Sequence, residues 1–273
     1  MINKFIRTYI SEYFPAVAQI LRNSRELLDQ RAPARMTPWG FTLAGHKKMA
    51  NGTFEPNETA LVRELLQEVD VLVNVGANVG YYPCHALSLG KPVICVEPII
   101  RNLHYLLTNI KDNGWSHQAE VFPVALGSGL DILQMWGSGT GASLIKGWAD
   151  NPASYARQVP VLTLDRLLGN SLSGKKALIL VDIEGSEYMM LQGSAQTLRN
   201  EPRPIWMMEV SLTEHQPKEI DINPYFGKIF EMMFNAGYHA FTADKRADVL
   251  TKSDVDRIIS GVRKIGVHNF VFR

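Results

Sequence analysis

Polar residues able to hold a ligand stand at or near the ends of four short apolar runs. Val71–Val75 contains Asn74 and leads into Gly76, Val93–Val96 stops at Glu97, Ala177–Val181 stops at Asp182, and Ile205–Val210 carries Glu209. The first run opens into a turn, Gly76-Ala77-Asn78-Val79-Gly80. Glycines there let a backbone approach a ligand, and an acid about 20 residues further on can take the two hydroxyls of a ribose. The turn departs from G-x-G-x-x-G at Asn78, where a second glycine would let a pyrophosphate lie against the chain. An asparagine crowds a pyrophosphate but can hydrogen-bond a smaller group. The pattern therefore favours an adenosine ligand without phosphates over NAD, and S-adenosylmethionine is such a ligand.

The segment Asp182-Ile183-Glu184-Gly185-Ser186-Glu187 adds acids at the mouth of the third of these runs. Ser186 and Glu187 fit a helix start, as cap and as an acid favoured by the helix dipole. Asp182 and Glu184 fit that role less well. Placed by a rigid strand at a cleft rim, they could orient a hydroxyl, accept its proton or hold a divalent cation. His215, just past Glu209, is the histidine placed to act as a base; the other six are scattered without zinc-ligand spacing. No G-x-S-x-G elbow, Walker loop or Cys-His pairing is present. Trp136, Trp148 and Tyr155 offer faces on which a sugar ring could stack, and serve equally well as core aromatics.

These groups need a scaffold, and the periodicity supplies one. Helical patterns at Glu58–Glu68, Asn102–Asn113, Ser186–Leu198 and Pro224–Ala236 alternate with apolar runs, which predicts an α/β doubly wound sheet, mostly parallel. Further strands are expected at 120–124, 238–242 and 267–272. Residues 1–57 read as an N-terminal helical and hairpin extension. Apolar positions at helical spacing (Phe5, Ile6, Tyr9, Ile10, Tyr13) are broken at Pro15, and a Gly/Pro-rich hairpin-like piece follows. This stretch suits a packed cap or a homo-oligomer contact. Residues 58–273 form the main domain, with an irregular Gly/Ser-rich insertion over about 127–176, too long for a simple connection.

The chain has 273 residues, 46% hydrophobic content and a formal net charge of +1, which suits one α/β domain with additions and argues against a nucleic-acid binder. Its two cysteines, Cys84 and Cys95, read as buried apolar residues. With no run of about 18 apolar residues and no signal-peptide opening, no transmembrane segment is expected, and a cytoplasmic protein is.

The segments VNVGANVGYY, VICVEP with Asn102 shortly after, VDIEGSEYMMLQGSAQTL and IWMMEV resemble the FkbM-type S-adenosylmethionine-dependent methyltransferases. The resemblance runs from about Thr37 to Phe272 and takes in the TLDRLL run at Thr163 and the GASL run at Gly141. It implies a class I methyltransferase (Rossmann-like) fold with a seven-stranded sheet whose last strand is antiparallel. The implied reaction is O-methylation of a hydroxyl acceptor, a small molecule or glycan, with S-adenosylmethionine as cofactor. Carried onto this chain, Gly76, Asn78, Gly80 and Tyr81 would line the methionine side. Glu97 would take the ribose, with Asn102 close by, and Pro98 and Ala125 would bound the adenine. Asp182 and Glu184 would sit near the transferred methyl, with Glu209 and His215 as further catalytic candidates. Asn74 stands where such enzymes commonly have an acid, and Glu55 or Glu58 of the entry segment could contribute. Two other readings stay open: an NAD-dependent oxidoreductase, and a module that binds S-adenosylmethionine without catalysis.

Overall fold

A computed structural model of the chain describes residue 17 and residues 33–151 and 155–273. The expected N-terminal helices, and any oligomer contact through them, lie outside the described residues. The element order begins with a hairpin, β1 (Arg35–Met36) and β2 (Thr42–Leu43), followed by helices α1 (Lys47–Ala50) and α2 (Pro56–Leu65). Next come β3 (Val71–Val75), α3 (Tyr81–Ser88), β4 (Val93–Val96), α4 (Ile100–Asp112) and β5 (Ala119–Phe122). The insertion holds β6 (Ala125–Leu126), β7 (Asp131–Trp136), β8 (Ala156–Leu162) and α5 (Leu164–Leu168). The chain then runs through β9 (Ala177–Val181), α6 (Glu187–Gln192), β10 (Ile205–Glu209), α7 (Phe226–Asn235), β11 (Ala240–Thr242), β12 (Val249–Leu250), α8 (Lys252–Ile259) and β13 (Asn269–Phe272).

The large sheet has the order β12-β11-β13-β10-β9-β3-β4-β5. Strands β3, β4, β5, β9 and β10 pair in parallel, while β13 runs antiparallel between β10 and β11. This is the class I methyltransferase-like arrangement, α/β with a large mixed central sheet. It contains eight strands where the sequence led us to expect seven, because the two-residue β12 pairs with β11 at the edge. Strands β3 and β9 are buried along their whole length, as strands covered on both faces must be, and Asn74 is the one polar side chain in either.

One apolar core lies beneath α6, α7 and α8 and includes Ile179, Met190, Phe230 and Phe270. The other lies beneath α2, α3 and α4 and includes Leu72, Leu106, Leu178 and Val62. Between them, strand order reverses at the β9–β3 junction, and there the crevice beyond the strand ends opens. The insertion is a small sheet of its own, with β8 parallel to β6 and antiparallel to β7.

The hairpin is fastened by two asparagines one turn apart on and just past α4. Asn113 accepts from the Thr42 amide at 2.9 Å and donates to its carbonyl at 2.8 Å. Asn109 accepts from the Ala44 amide at 2.8 Å and donates to the carbonyls of Ala44 and Val79. The two amides stand in for a neighbouring strand and tie β2 to the glycine turn.

Candidate active site

The glycine turn follows from close packing. Gly76 (φ 86°) donates to the Val96 carbonyl at 2.9 Å, and a Cβ on it would collide with the Asp182 carbonyl oxygen. The Asp182 amide in turn donates to Val75 O at 3.0 Å. The ends of β3 and β9 are thus laced together at the switch point. Gly80 (φ 88°) starts α3 where a Cβ would press on Leu106. Asn78 adopts a left-handed conformation (φ 50°), tolerated by asparagine better than by most residues. Its amide donates to Glu97 Oε2 at 2.8 Å.

Glu97 is buried, 4% exposed, and organises this side of the cleft. Its other oxygen accepts from the Ile99 amide at 2.8 Å and from Asn102 Nδ2 at 3.3 Å. Burial pushes the carboxyl up to about 7 in spite of these bonds, which favour the ionised form. Asn102 Nδ2 also donates to the Gly139 carbonyl of the insertion.

A cavity of about 20 Å³, room for one water, lies among Gly76, Pro98, Ala125, Leu144, Ile183 and Ser186. Pro98 and Ala125 therefore share a wall with Gly76. Two buried polar atoms nearby lack a protein partner, Asn102 Oδ1 and Ser186 Oγ. These unpartnered polar atoms at the strand ends suit a ligand with a polar edge, although the slot itself holds only one water. In this respect the residues fit the implied cofactor.

The acids gather on the other side. Asp182 is exposed to solvent at the end of β9, though protein atoms enclose it closely. Its carboxyl is held well above the ordinary range by that enclosure first and then by Glu209, Glu184, Glu55 and Glu187. Burial pushes Glu209 up to about 8, with Glu184 and Glu55 the next causes. Glu187, 2% exposed, stands at about 7 through burial and accepts from the Gly185 amide at 3.0 Å. Raised carboxyls near neutral pH suit proton transfer. Among the described residues, no group of three or more His, Cys, Asp or Glu is placed to hold a metal ion.

Glu184 (φ 55°) accepts from the Trp148 indole Nε1 at 2.6 Å, and His215 Nδ1 lies 3.7 Å from the same oxygen. The His215 side chain is half exposed. The chain thus brings Asp182, Glu184, Glu209 and His215 into one neighbourhood, facing the turn and Glu97 across the switch point.

Two residues named from sequence lie elsewhere. Tyr81 turns away from the cleft: its hydroxyl bonds Thr59 at 3.0 Å, and its ring packs edge-on against Trp39, Phe54 and His85 beneath the hairpin. Asn74 is buried within the sheet, where Nδ2 donates to the Leu180 carbonyl of β9 at 3.4 Å. An amide can make that bond and an ionised acid cannot, which accounts for Asn74 physically. Of the aromatics, Trp148 is buried against Glu184, and Tyr155 is buried beneath Arg157.

Sequence reasoning missed Tyr82, which donates to Glu55 Oε2 at 2.9 Å and brings the entry segment to the acids. Its position inside the glycine-turn motif was the available signal. It also missed Trp148 as a partner of Glu184. A tryptophan in a Gly/Ser-rich stretch was the hint, but its partner lies 36 residues away.

A family model described as the methyltransferase FkbM domain matches residues 74–240. Among solved structures, methyltransferase FkbM from Methylobacillus flagellatus KT is 16% identical, with 94% of this chain and 60% of that chain covered and a TM-score of 0.44. An O-methyltransferase family protein from Burkholderia thailandensis is 8% identical, with coverage of 82% and 56% and a TM-score of 0.42. The O-methyltransferase from Bacillus cereus in complex with SAH is 10% identical, with coverage of 98% and 95% and a TM-score of 0.43. The chain spans 60% and 56% of the length of the first two. No curated protein matches it.

Proposed function

This chain belongs to the FkbM methyltransferase family, and we propose that it transfers a methyl group from S-adenosylmethionine to a hydroxyl of a sugar, glycan or other natural product. One observation carries the reading: a buried acid, Glu97, bonded to the amide of the glycine turn at 2.8 Å, across the switch point from a group of carboxyls with raised pKa. A ribose site next to proton-accepting groups is what transfer to a hydroxyl requires.

In this reading Gly76, Asn78, Gly80 and Glu97 hold the methionine and ribose parts, and Pro98, Ala125 and Ser186 bound the adenine. Bound S-adenosylmethionine would supply a methyl already made reactive by its sulfonium. The chain's own task is to align an acceptor oxygen and manage its proton. Asp182, raised by enclosure and then by Glu209, and Glu209, raised by burial and then by Glu184 and Glu55, are the groups suited to exchange that proton near neutral pH. Glu184 and His215 border the acceptor side. Among the described residues the acids are not arranged as a ligand set for a divalent cation. In the described residues no helix is long and apolar enough to cross a membrane. A cytoplasmic location and a soluble hydroxyl acceptor belong to the same proposal.

Calorimetric titration with S-adenosylhomocysteine beside NADH tests it. Binding of S-adenosylhomocysteine alone is expected and justifies a screen of glycan and polyketide hydroxyls. Binding of NADH alone would return the oxidoreductase reading, and S-adenosylhomocysteine binding with no turnover on any acceptor would favour an inert module.

A further inference from the structure

We propose that Trp148 is a positioning residue for Glu184 and that, through this contact, it latches residues 137–151 of the insertion over the cleft. What the latch guards rests on the nucleoside reading above; the latch itself rests on geometry.

Trp148 is 3% exposed although it sits in the least regular stretch of the chain. Its indole N–H meets Glu184 Oε2 at 2.6 Å, a short bond of the charge-assisted kind when the carboxylate is ionised. The same residue is held a second time, because Ser143 Oγ donates to the Glu184 carbonyl at 2.6 Å. Gly185 makes room for the ring: a Cβ there would stand 2.5 Å from Trp148 Cζ3. The glycine in D-x-E-G therefore serves the indole as well as its own positive φ of 95°.

Two more ties complete the strap. Asn102, already bonded to Glu97, donates to Gly139 O at 3.1 Å, and the Ala149 amide donates to His215 O at 2.8 Å. The segment thus touches the ribose-side acid through one partner and the acceptor-side acid directly. Strain gathers at the contact. Ala149 (φ 51°), Asp150 (φ 57°), Glu184 (φ 55°) and His215 (φ 64°) are all left-handed without being glycine. Such conformations persist only where surrounding contacts enforce them. Releasing the indole removes one of those contacts and lets the strap relax.

A tryptophan that merely filled space would leave Glu184 indifferent to its N–H. Trp148→Phe keeps an aromatic ring but deletes the donor together with the part of the indole that packs on Gly185, so the indole resonance in Glu184→Gln is what isolates the hydrogen bond. Hydrogen exchange of amides in 137–151 should then quicken about tenfold in the unliganded protein, while exchange in β3 and β9 stays unchanged. In wild type the Trp148 indole proton resonance should move with pH as Glu184 titrates, and should move again in Glu184→Gln. Stopped-flow association of S-adenosylhomocysteine should be about tenfold faster in Trp148→Phe. Unchanged exchange in Trp148→Phe, or an indole proton blind to Glu184→Gln, would overturn the latch. Faster exchange with a shifted indole, but no S-adenosylhomocysteine binding to either form, would uphold the latch and sink the nucleoside reading instead. Should Trp148→Phe fail to fold, the indole resonance in Glu184→Gln decides alone.

Discussion

At the scale of single residues, Glu97 is the most constrained group in the cleft. Its oxygens accept from Asn78, Ile99 and Asn102, and burial lifts its pKa to about 7. Replacing it with alanine removes charged bonds to a ribose, so affinity for S-adenosylhomocysteine should fall by about 1–3 kcal/mol. Unchanged affinity by calorimetry would take Glu97 out of the site. The pKa adds a sign. A ribose diol donates best to an ionised carboxylate, so binding should tighten as pH rises from about 6 to 8, through the value near 7. Glu97→Gln should flatten that rise. Asp182→Asn should behave differently, leaving cofactor affinity largely intact while lowering transfer; equal loss of both would move Asp182 into the cofactor site. The positions of these residues in the fold were legible in sequence because turn, acid and D-x-E-G motif are each local and end an apolar run. Asn74 and Tyr81 were not, since their partners, Leu180 and Thr59, come from other elements.

Among elements, the strands were readable because β3, β4, β9 and β10 are apolar runs broken only by Asn74 and by Glu209 at the end of β10, while the helix after β9 is shorter than its pattern suggests. The sequence suggests Ser186–Leu198, but α6 stops at Gln192. Gly193 lies against the Gly127 backbone, so closely that a Cβ there would meet its carbonyl oxygen. That approach belongs to the fold and leaves no local mark beyond a glycine. The pair β12–α8 escaped notice, although Thr251 and Asp254 form a capping box that a search for T-x-x-D would have found. The asparagine clamp on the hairpin was invisible for a different reason: it joins residues 65 and 71 apart. Asn109→Ala would leave the Ala44 amide and two carbonyls without partners in a buried site. It should destabilise the protein by about 3 kcal/mol in urea denaturation. A change under about 0.5 kcal/mol would mean that the hairpin's apolar contacts, Phe41 and Leu43 on Tyr105 and Val79, hold it alone.

For the whole molecule, the acids set how stability depends on pH. Glu55, the run Asp182, Glu184 and Glu187, and Glu209 come from three separate stretches of chain and meet at one end of the sheet. All have raised pKa values, about 7 for Glu187 and about 8 for Glu209, with burial the first cause throughout and repulsion by neighbouring acids the next for Asp182 and Glu209. Facing them, His215 favours the charged form of Glu184, while Glu214 adds to the repulsion on Glu209. In the unfolded chain a glutamate titrates near 4.3. Between roughly that pH and 8, the native state therefore binds more protons than the unfolded state, so stability falls as pH rises. The contribution is fully present below the unfolded value and is lost as pH climbs through 7 and 8. Calorimetry of the ligand-free protein should show a melting temperature highest in mildly acidic solution and declining from pH 6 to 9. Glu209→Gln keeps a hydrogen-bonding side chain of the same size without the charge. It should melt higher than wild type at pH 8.5 and close to wild type at pH 5, shrinking the decline. A wild-type curve that rose over this range would mean that the carboxyls are ionised and paired, and the proton-accepting role given to Asp182 and Glu209 would fall with it.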